Sequence, residues 1–321
     1  MARANAIYYA THDPFADFTT SPEISQVFGE IIGLWAAVTW QLLGSPTPIS
    51  LVEAGPGRGT LMADALRAAH RAAPGFAAAL QVHLIETSPR LRAAQAARIP
   101  DATWHGDLST VPDQPMILVA NEFLDALPIR QFVRRGTGWT ERFVAAGQWA
   151  EQPADAADVP AGRIAAEGDI VELNEPSRDF IAEVAGRVRR HPGAALFLDY
   201  GPEHSAAGDS LQAIADKRPV NPLSLAGSAD LTAHVDFADL GDVARIHGAG
   251  VQGPAPQGPF LAALGLFQRT ERLARNRSPE QALALVEAAR RLAEPTAMGR
   301  LFKVLTVSSP ACPPLPGLPI G

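Results

Sequence analysis

Short, continuous apolar runs alternate with longer stretches of helical periodicity along this chain. The runs are Ser50 to Ala54 (SLVEA), Val82 to Glu86 (VHLIE), Met116 to Ala120 (MILVA) and Ala195 to Tyr200 (ALFLDY). Strands buried on both faces read this way, and the intervals are too long for hairpins, so parallel strands joined by right-handed helical crossovers are predicted. A third strand ahead of WHGDLSTVP makes the Met116 run the fourth. Between the first two runs, Leu61, Ala65, Leu66 and Ala69 share one face of the segment Leu61 to Ala73, the first crossover helix. The expected fold class is α/β, a doubly wound, Rossmann-like sheet that is mostly parallel, with helices on both faces.

The remaining periodic stretches fill in around that sheet. Ile31 to Gly44 (IIGLWAAVTWQLLG) is apolar but too short to cross a bilayer, and suits a buried helix. Phe132 to Trp149 is strand-like and interrupted by glycine, Ser177 to Arg190 is helical, and the whole of Gln131 to Pro192 reads as an insertion after the fourth strand. Phe260 to Arg275 and Pro279 to Ala293 are amphipathic helices, the second opened by Ser278 and Pro279. Arg300 to Val307 (RLFKVLTV) is expected to close the sheet as an edge strand. The Ile31 helix and the Phe260 segment suit internal packing, with a homodimer contact as the open alternative.

Composition narrows the classes of function. With 47% hydrophobic and 19% charged residues in 321, the chain is globular. Its net charge is −7 and its basic residues never exceed adjacent pairs such as Arg134-Arg135, so no nucleic-acid surface is expected. The single cysteine, Cys312, excludes internal disulfides, Cys-type zinc sites and CxxC redox chemistry. No two histidines stand at HxxxH spacing and no GxSxG occurs, so neither a metal site nor a serine hydrolase is expected. The start, MARANAIYYATHDPF, lacks the pattern of a secretory signal, and an intracellular location is the expectation.

The chemistry concentrates at the carboxyl ends of the predicted strands, where open α/β sheets bind ligands. In LVEAGPGRGTL the first strand runs through Gly55, Gly57 and Gly59 into a helix, which lets backbone approach a ligand and presents free N–H groups. The spacing is GxGxG with Glu53 ahead of it, as expected for S-adenosylmethionine, whereas dinucleotide sites prefer GxGxxG. Glu86 ends the second strand, beside the first crevice, and can accept from both hydroxyls of a ribose or cap the helix that starts near Ser88. Such a carboxylate serves a nicotinamide nucleotide equally well.

Asp107 is placed for an adenine amine, and Trp104 is an apolar wall or a core residue. After the fourth strand, Asn121, Glu122 and Asp125 precede an apolar turn where a transferred methyl group would sit. Carboxylates there are costly unless they meet a cation, which suggests a guanidinium held by charge-assisted hydrogen bonds. Asp125 has a helix cap as its alternative role. Thr20, Ser21, Pro22 and Glu23 form a polar cluster that is also a good helix start.

These residues lie in longer stretches that resemble the MidA family of S-adenosylmethionine-dependent methyltransferases. The matches are YYATHDPF with DFTTSPEISQVFGE, LVEAGPGRGTLMADALR, LIETSPRLRAAQ, ILVANEFLDALPIRQFV, FLDYG, DLTAHVDF and LFKVL, in order from Tyr8 to Leu305. The resemblance implies a class I methyltransferase fold and methylation of protein arginine, with symmetric dimethylarginine formed on a respiratory complex I subunit in the mitochondrial case. It implies that Gly55, Gly57 and Gly59 line the methyl donor, Glu86 its ribose and Asp107 its adenine, with Asn121 and Glu122 at the reaction centre. Thr20 to Glu23 would belong to a lid over the donor. Asp199, His234 and Asp236 match later polar positions near the cleft, on the substrate side.

The family usually carries a longer stretch between the DPF and DFTT segments; here Ala16 alone separates Phe15 from Asp17, so a shortened lid is expected. The chain then divides into a lid and helix (1–48), a donor-binding half (49–130), an inserted substrate-side segment (131–192), a second half of the core (193–307, with a helical insertion at 258–298) and a Pro-rich tail (308–321). The expected partner is an arginine-bearing protein, and the expected compartment the cytoplasm of a bacterium or the mitochondrial matrix of a eukaryote. One other function fits the same motifs, an assembly chaperone that binds the donor without transferring its methyl; a nicotinamide oxidoreductase is disfavoured by the GxGxG spacing.

Overall fold

The computed structural model describes residues 1–12, 19–155, 157–159, 163–224 and 227–319. The expected short junction between Phe15 and Asp17 lies outside them. At the N-terminus α1 (Ala2–Thr11) and the one-turn α2 (Ser21–Ile24) precede the long α3 (Gln26–Leu42). There follow β1 (Ile49–Ala54), α4 (Thr60–Ala72), α5 (Pro74–Ala79), β2 (Leu80–Ile85), α6 (Pro89–Arg98), β3 (Thr103–His105) and β4 (Met116–Asn121). Next come β5 (Arg130–Arg135), β6 (Gly138–Ala145), β7 (Gln148–Pro153), β8 (Ile170–Leu173), α7 (Glu175–Arg190) and β9 (Gly193–Tyr200). The chain continues through β10 (Gln212–Ala215), β11 (Arg218–Val220), β12 (Asp230–Thr232), α8 (Phe237–Ile246) and β13 (Gly250–Pro256). It ends with α9 (Gln257–Ala263), α10 (Leu266–Ala274), α11 (Pro279–Ala293), α12 (Met298–Leu301) and β14 (Phe302–Ser308).

Seven strands form the central sheet in the order β13-β14-β9-β4-β1-β2-β3. From β9 to β3 all neighbours are parallel, while β14 runs antiparallel between β9 and β13. β1 and β4 are buried at every position, as their mainly apolar sequences lead one to expect, with Ser50, Glu53 and Asn121 as the buried polar exceptions. One face packs against α3, α4 and the C-terminal helices through Phe28, Trp35, Leu61, Phe260 and Leu292. The other packs against α7 and α8 through Ile181, Val184, Phe237 and Leu240. Each fully buried side chain of this size contributes about 1.5–3 kcal/mol of transfer free energy. α3 and α4 approach so closely that a Cβ added at Gly33 would lie 2.5 Å from the Ala65 Cα, which fixes the helix leading out of the glycine turn.

The structure redraws several expected boundaries. β14 is an interior strand, and the edge belongs to β13, whose sequence GVQGPAP carries two prolines and two glycines and gives no apolar run. The segment 131–192 is divided in two: β5 to β8 form a separate antiparallel sheet in the order β7-β6-β5-β8, whereas α7 packs on the central sheet as the crossover into β9. The Phe260 segment is broken into α9 and α10 at Gly265, which adopts φ +90°. Side-chain caps set the helix starts that matter for the site: Ser88 accepts from the Leu91 N–H, Asn174 from Ser177 and Asp236 from Asp239.

Candidate active site

The loops after β1, β2, β3 and β4 meet in a cavity of about 860 Å³ at the carboxyl edge of the sheet. Its floor is the glycine turn. Gly55, Gly57 and Gly59 adopt φ of +65°, +54° and +77°, and a Cβ at Gly55 would lie 2.8 Å from the Phe123 ring. The turn is therefore closed to side chains and open to a ligand's approach. It leads into α4 with Gly59 as its cap, which offers no side-chain acceptor, and the first-turn N–H of Met62 is bonded to Glu53.

Two oxygens of Glu86 already hold protein donors, the Ser88 N–H at 2.7 Å and the Gln95 amide at 3.3 Å. A carboxylate has about four lone-pair sites, so acceptor capacity remains for a diol. Burial raises its pKa. Asp107 lies on the open rim, its pKa lowered first by a hydrogen bond from Ser109. Trp104 donates its indole N–H to Gln95 at 2.8 Å and packs against the core, the second of the two roles open to it in the sequence.

At the centre stand Asn121 and Glu122. One Glu122 oxygen accepts from the Ser21 N–H at 2.8 Å and from the Asn121 side chain at 3.1 Å, joining α2 to the end of β4. Glu122 holds φ +51°, a left-handed conformation that costs a residue with a Cβ roughly 1–2 kcal/mol and concentrates at functional positions. Burial raises its pKa despite both hydrogen bonds. Glu53 pairs in register with Val119, so its side chain points to the same face as Asn121. Its pKa is pushed up by burial to about 8, and one of its oxygens has no hydrogen-bond partner. The Asn121 carbonyl oxygen and the Ser21 hydroxyl are likewise buried and unpartnered. Unsatisfied buried groups cost about 1–3 kcal/mol each, and here they cluster where a bound ligand with N–H donors would satisfy them.

The N-terminal residues act as a wall. Thr20, Pro22 and Glu23 line the cavity, and Glu23 accepts from the Thr60 hydroxyl at 2.5 Å. Helix α1 adds Asn5, Ala6 and Tyr9, which sequence reasoning missed. Asn5 donates to the carbonyls of Ala126 and Leu231 and accepts from the Leu231 N–H, which clamps α1 between the loop after β4 and β12. Tyr9 donates to Asp230 at 2.8 Å. The Asn5 and Tyr9 spacing of four was a legible helical signal. α7 supplies four further lining residues, Pro176, Asp179, Phe180 and Glu183.

Six expected site residues do not line the cavity: Ser21 is fully buried in α2, Gly59 caps α4 behind the turn, and the other four stand elsewhere. Asp125 is buried behind the loop, beside Asp199 and Asp230, and burial with these like charges holds its pKa well above the usual carboxylate range. It is turned away from the cavity, so it cannot clamp a guanidinium there. Asp199 accepts the backbone N–H groups of Phe123, Leu124 and Asp125 at 3.2, 2.9 and 3.2 Å, and so anchors the loop that carries Glu122. His234 and Asp236 line a second cavity beyond that loop, and Asp236 is spent on capping α8 and pairing with Arg163 at 2.6 Å. Among the described residues no cluster of three metal-ligating side chains occurs.

The comparisons with known proteins agree with this geometry. A family described as "Putative S-adenosyl-L-methionine-dependent methyltransferase" matches residues 31–255. The mitochondrial protein arginine methyltransferase NDUFAF7 homolog of Drosophila melanogaster is 33% identical, over 96% of this chain and 79% of its own length. The human protein arginine methyltransferase NDUFAF7 is 31% identical, over 92% and 75%. A Burkholderia thailandensis protein solved bound to S-adenosyl-homocysteine superposes with a TM-score of 0.78 at 26% identity, covering 94% of this chain and 81% of that one. A native structure from the same organism gives 0.80 at 27%, covering 97% and 87%. The glycine cradle, the ribose-side carboxylate and the unsatisfied polar atoms around Glu53 fit such a donor. The chain belongs to the S-adenosylmethionine-dependent methyltransferase family.

Proposed function

We propose that this enzyme transfers a methyl group from S-adenosylmethionine to an arginine of a partner protein. The observation that carries the reading is the charge of the cavity. Seven carboxylates line it, Glu23, Glu53, Glu86, Asp107, Glu122, Asp179 and Glu183, and no Lys, Arg or His does so among the described residues. Among the described residues only Glu183 of these has an ion-pair partner, Arg187. Acids crowded around one cavity either take up protons, as the raised pKa values of Glu53, Glu86 and Glu122 favour, or are matched by cations that enter it.

The bound donor supplies an electrophilic methyl on a sulfonium. The chain's own work is to position and to move one proton. Glu53, Asn121 and Ser21 would hold the donor's amino-acid end, and Glu86 its ribose. Glu122, fixed by Ser21 and Asn121, would orient the guanidinium through its remaining lone pairs. As the nitrogen bonds to the methyl and the carbon–sulfur bond breaks, the nitrogen sheds a proton, and the raised affinity of Glu122 for protons suits it to receive that one. By the family resemblance, the client is a respiratory complex I subunit and the product symmetric dimethylarginine.

A Glu122→Gln variant tests the assignment. It should bind S-adenosylhomocysteine as the parent does in calorimetry, yet lose about 10²-fold or more of methyl transfer from a labelled donor, the usual size of a general-base contribution. Unchanged turnover would remove Glu122 from the reaction.

A further inference from the structure

The cavity that holds His234 and Asp236, about 690 Å³, opens on the same carboxyl edge of the sheet as the donor cavity and shares no lining residue with it. One loop, 122–129, separates them, and Asn174 of the second cavity donates to the Leu124 and Leu127 carbonyls of that loop. The charges of this second cavity are arranged in the opposite sense. Its carboxylates are all engaged: Glu172 by Gln131 and Ser210, Asp209 by Gln131 and Arg142, and Asp236 by Arg163 and Ser205.

Its cations are left over. Lys303 is only 6% exposed, and its ammonium donates to two backbone carbonyls, Arg300 at 2.5 Å and Leu301 at 3.4 Å. An ammonium has three donors, so one remains without a protein acceptor, and burial without a paired carboxylate lowers the group's pKa. Glu203 is the acid that acts on Lys303 from a distance, and it is exposed and forms no ion pair with it. Arg300 lines the same cavity and is free of ion pairs, and so is His234, which packs edge-on against Tyr200 at 5.5 Å. A nearly buried ammonium without a counter-ion is costly, in a chain whose net charge is −7.

We infer that this second cavity is a docking site for an acidic side chain of the polypeptide substrate, with Lys303 and Arg300 as its ion-pairing residues. The inference rests on the reading of the substrate as a protein. A strand whose arginine enters the donor cavity would cross the 122–129 loop and place a neighbouring Asp or Glu against Lys303. Recognition would then demand an arginine and an acid at a set separation, which selects one site among many arginines.

The test uses the full chain and a fluorescein-labelled hexaglutamate peptide, followed by anisotropy, with a Ser/Gly peptide of equal length as control. The parent should bind hexaglutamate saturably and more weakly as salt rises, while the control does not bind. Lys303→Gln and Arg300→Gln should each weaken that binding by about tenfold, the scale of losing a charged partner at an interface, with S-adenosylhomocysteine binding unchanged. Arg300 is exposed, so its variant decides the matter where Lys303→Gln does not fold. Absence of saturable binding, or equal binding by both variants, overturns the inference, as does occupancy of the site by inorganic phosphate but not by hexaglutamate. Failure of the methyltransferase reading would appear instead as lost binding of S-adenosylhomocysteine by the parent, which the peptide assay does not involve.

Discussion

Among the described residues the cavity over β1 and β4 presents seven carboxylates of which one is ion-paired, whereas in the cavity beyond the 122–129 loop two of three carboxylates, Asp209 and Asp236, are ion-paired and Lys303 and Arg300 are not. Counting residue types would call both mixed or acidic. What separates them is the pairing that the fold imposes before any ligand arrives. The first is built to gain positive charge and the second to gain negative charge, and the loop carrying Glu122 is the wall between them.

The comparison breaks most visibly if the first cavity is filled. In Gly55→Val the side chain meets Phe123 and the backbone stays at φ +65°, so S-adenosylhomocysteine should bind at least about tenfold more weakly by calorimetry, a 1.4 kcal/mol effect. Hexaglutamate binding at the second cavity should survive. Loss of both together would mean that the two cavities are not independent.

A smaller effect is expected at the wall. Asn174→Ala removes the cap of α7 and two hydrogen bonds to the 122–129 loop, which should cost about 1 kcal/mol and lower the thermal midpoint by about 2–4 °C. Both ligands should then bind more weakly. A variant that weakens one ligand alone would show that the wall does not serve both sides.

The smallest effect is a fraction of a proton. Glu53 has its pKa raised from 4.5 to about 8, so in the free protein its stability contribution is complete below pH 4.5 and is lost as the pH rises through 8. A bound ammonium reverses that cost by favouring the carboxylate. Binding of S-adenosylhomocysteine at pH 7 should therefore release up to one proton, read from calorimetry in buffers of different ionisation enthalpy, and its thermal stabilisation should grow from pH 6 to pH 8. Proton-neutral binding would place Glu53 away from the ligand's charge.

Much of this was legible in the chain. The apolar runs marked β1, β2, β4 and β9 because strands buried on both faces are mostly apolar, with polar residues such as Glu53, Asn121 and Asp199 near their carboxyl ends. The GxGxG turn, Glu86 and Glu122 were legible because each ends one of those strands, and strand ends of an α/β sheet share one edge. β13 was hidden by its prolines and glycines, and the wall of α1 by a helix with no clear apolar stripe. Asp125 and Asp199 were misread for another reason. A sequence shows that a carboxylate follows a strand, but the turn after β4, held by three N–H groups on Asp199, decides that Glu122 faces the cavity and Asp125 faces away.

The central claim is that the acid-lined cavity pairs a methyl donor with a guanidinium. It is tested most directly by incubating the protein with methyl-labelled S-adenosylmethionine and a lysate of its own organism, then hydrolysing the labelled protein to amino acids. The account predicts label in methylated arginine, absent when Glu122→Gln replaces the parent. Label in methyl-lysine or in small molecules alone, or equal labelling by the variant, would contradict it.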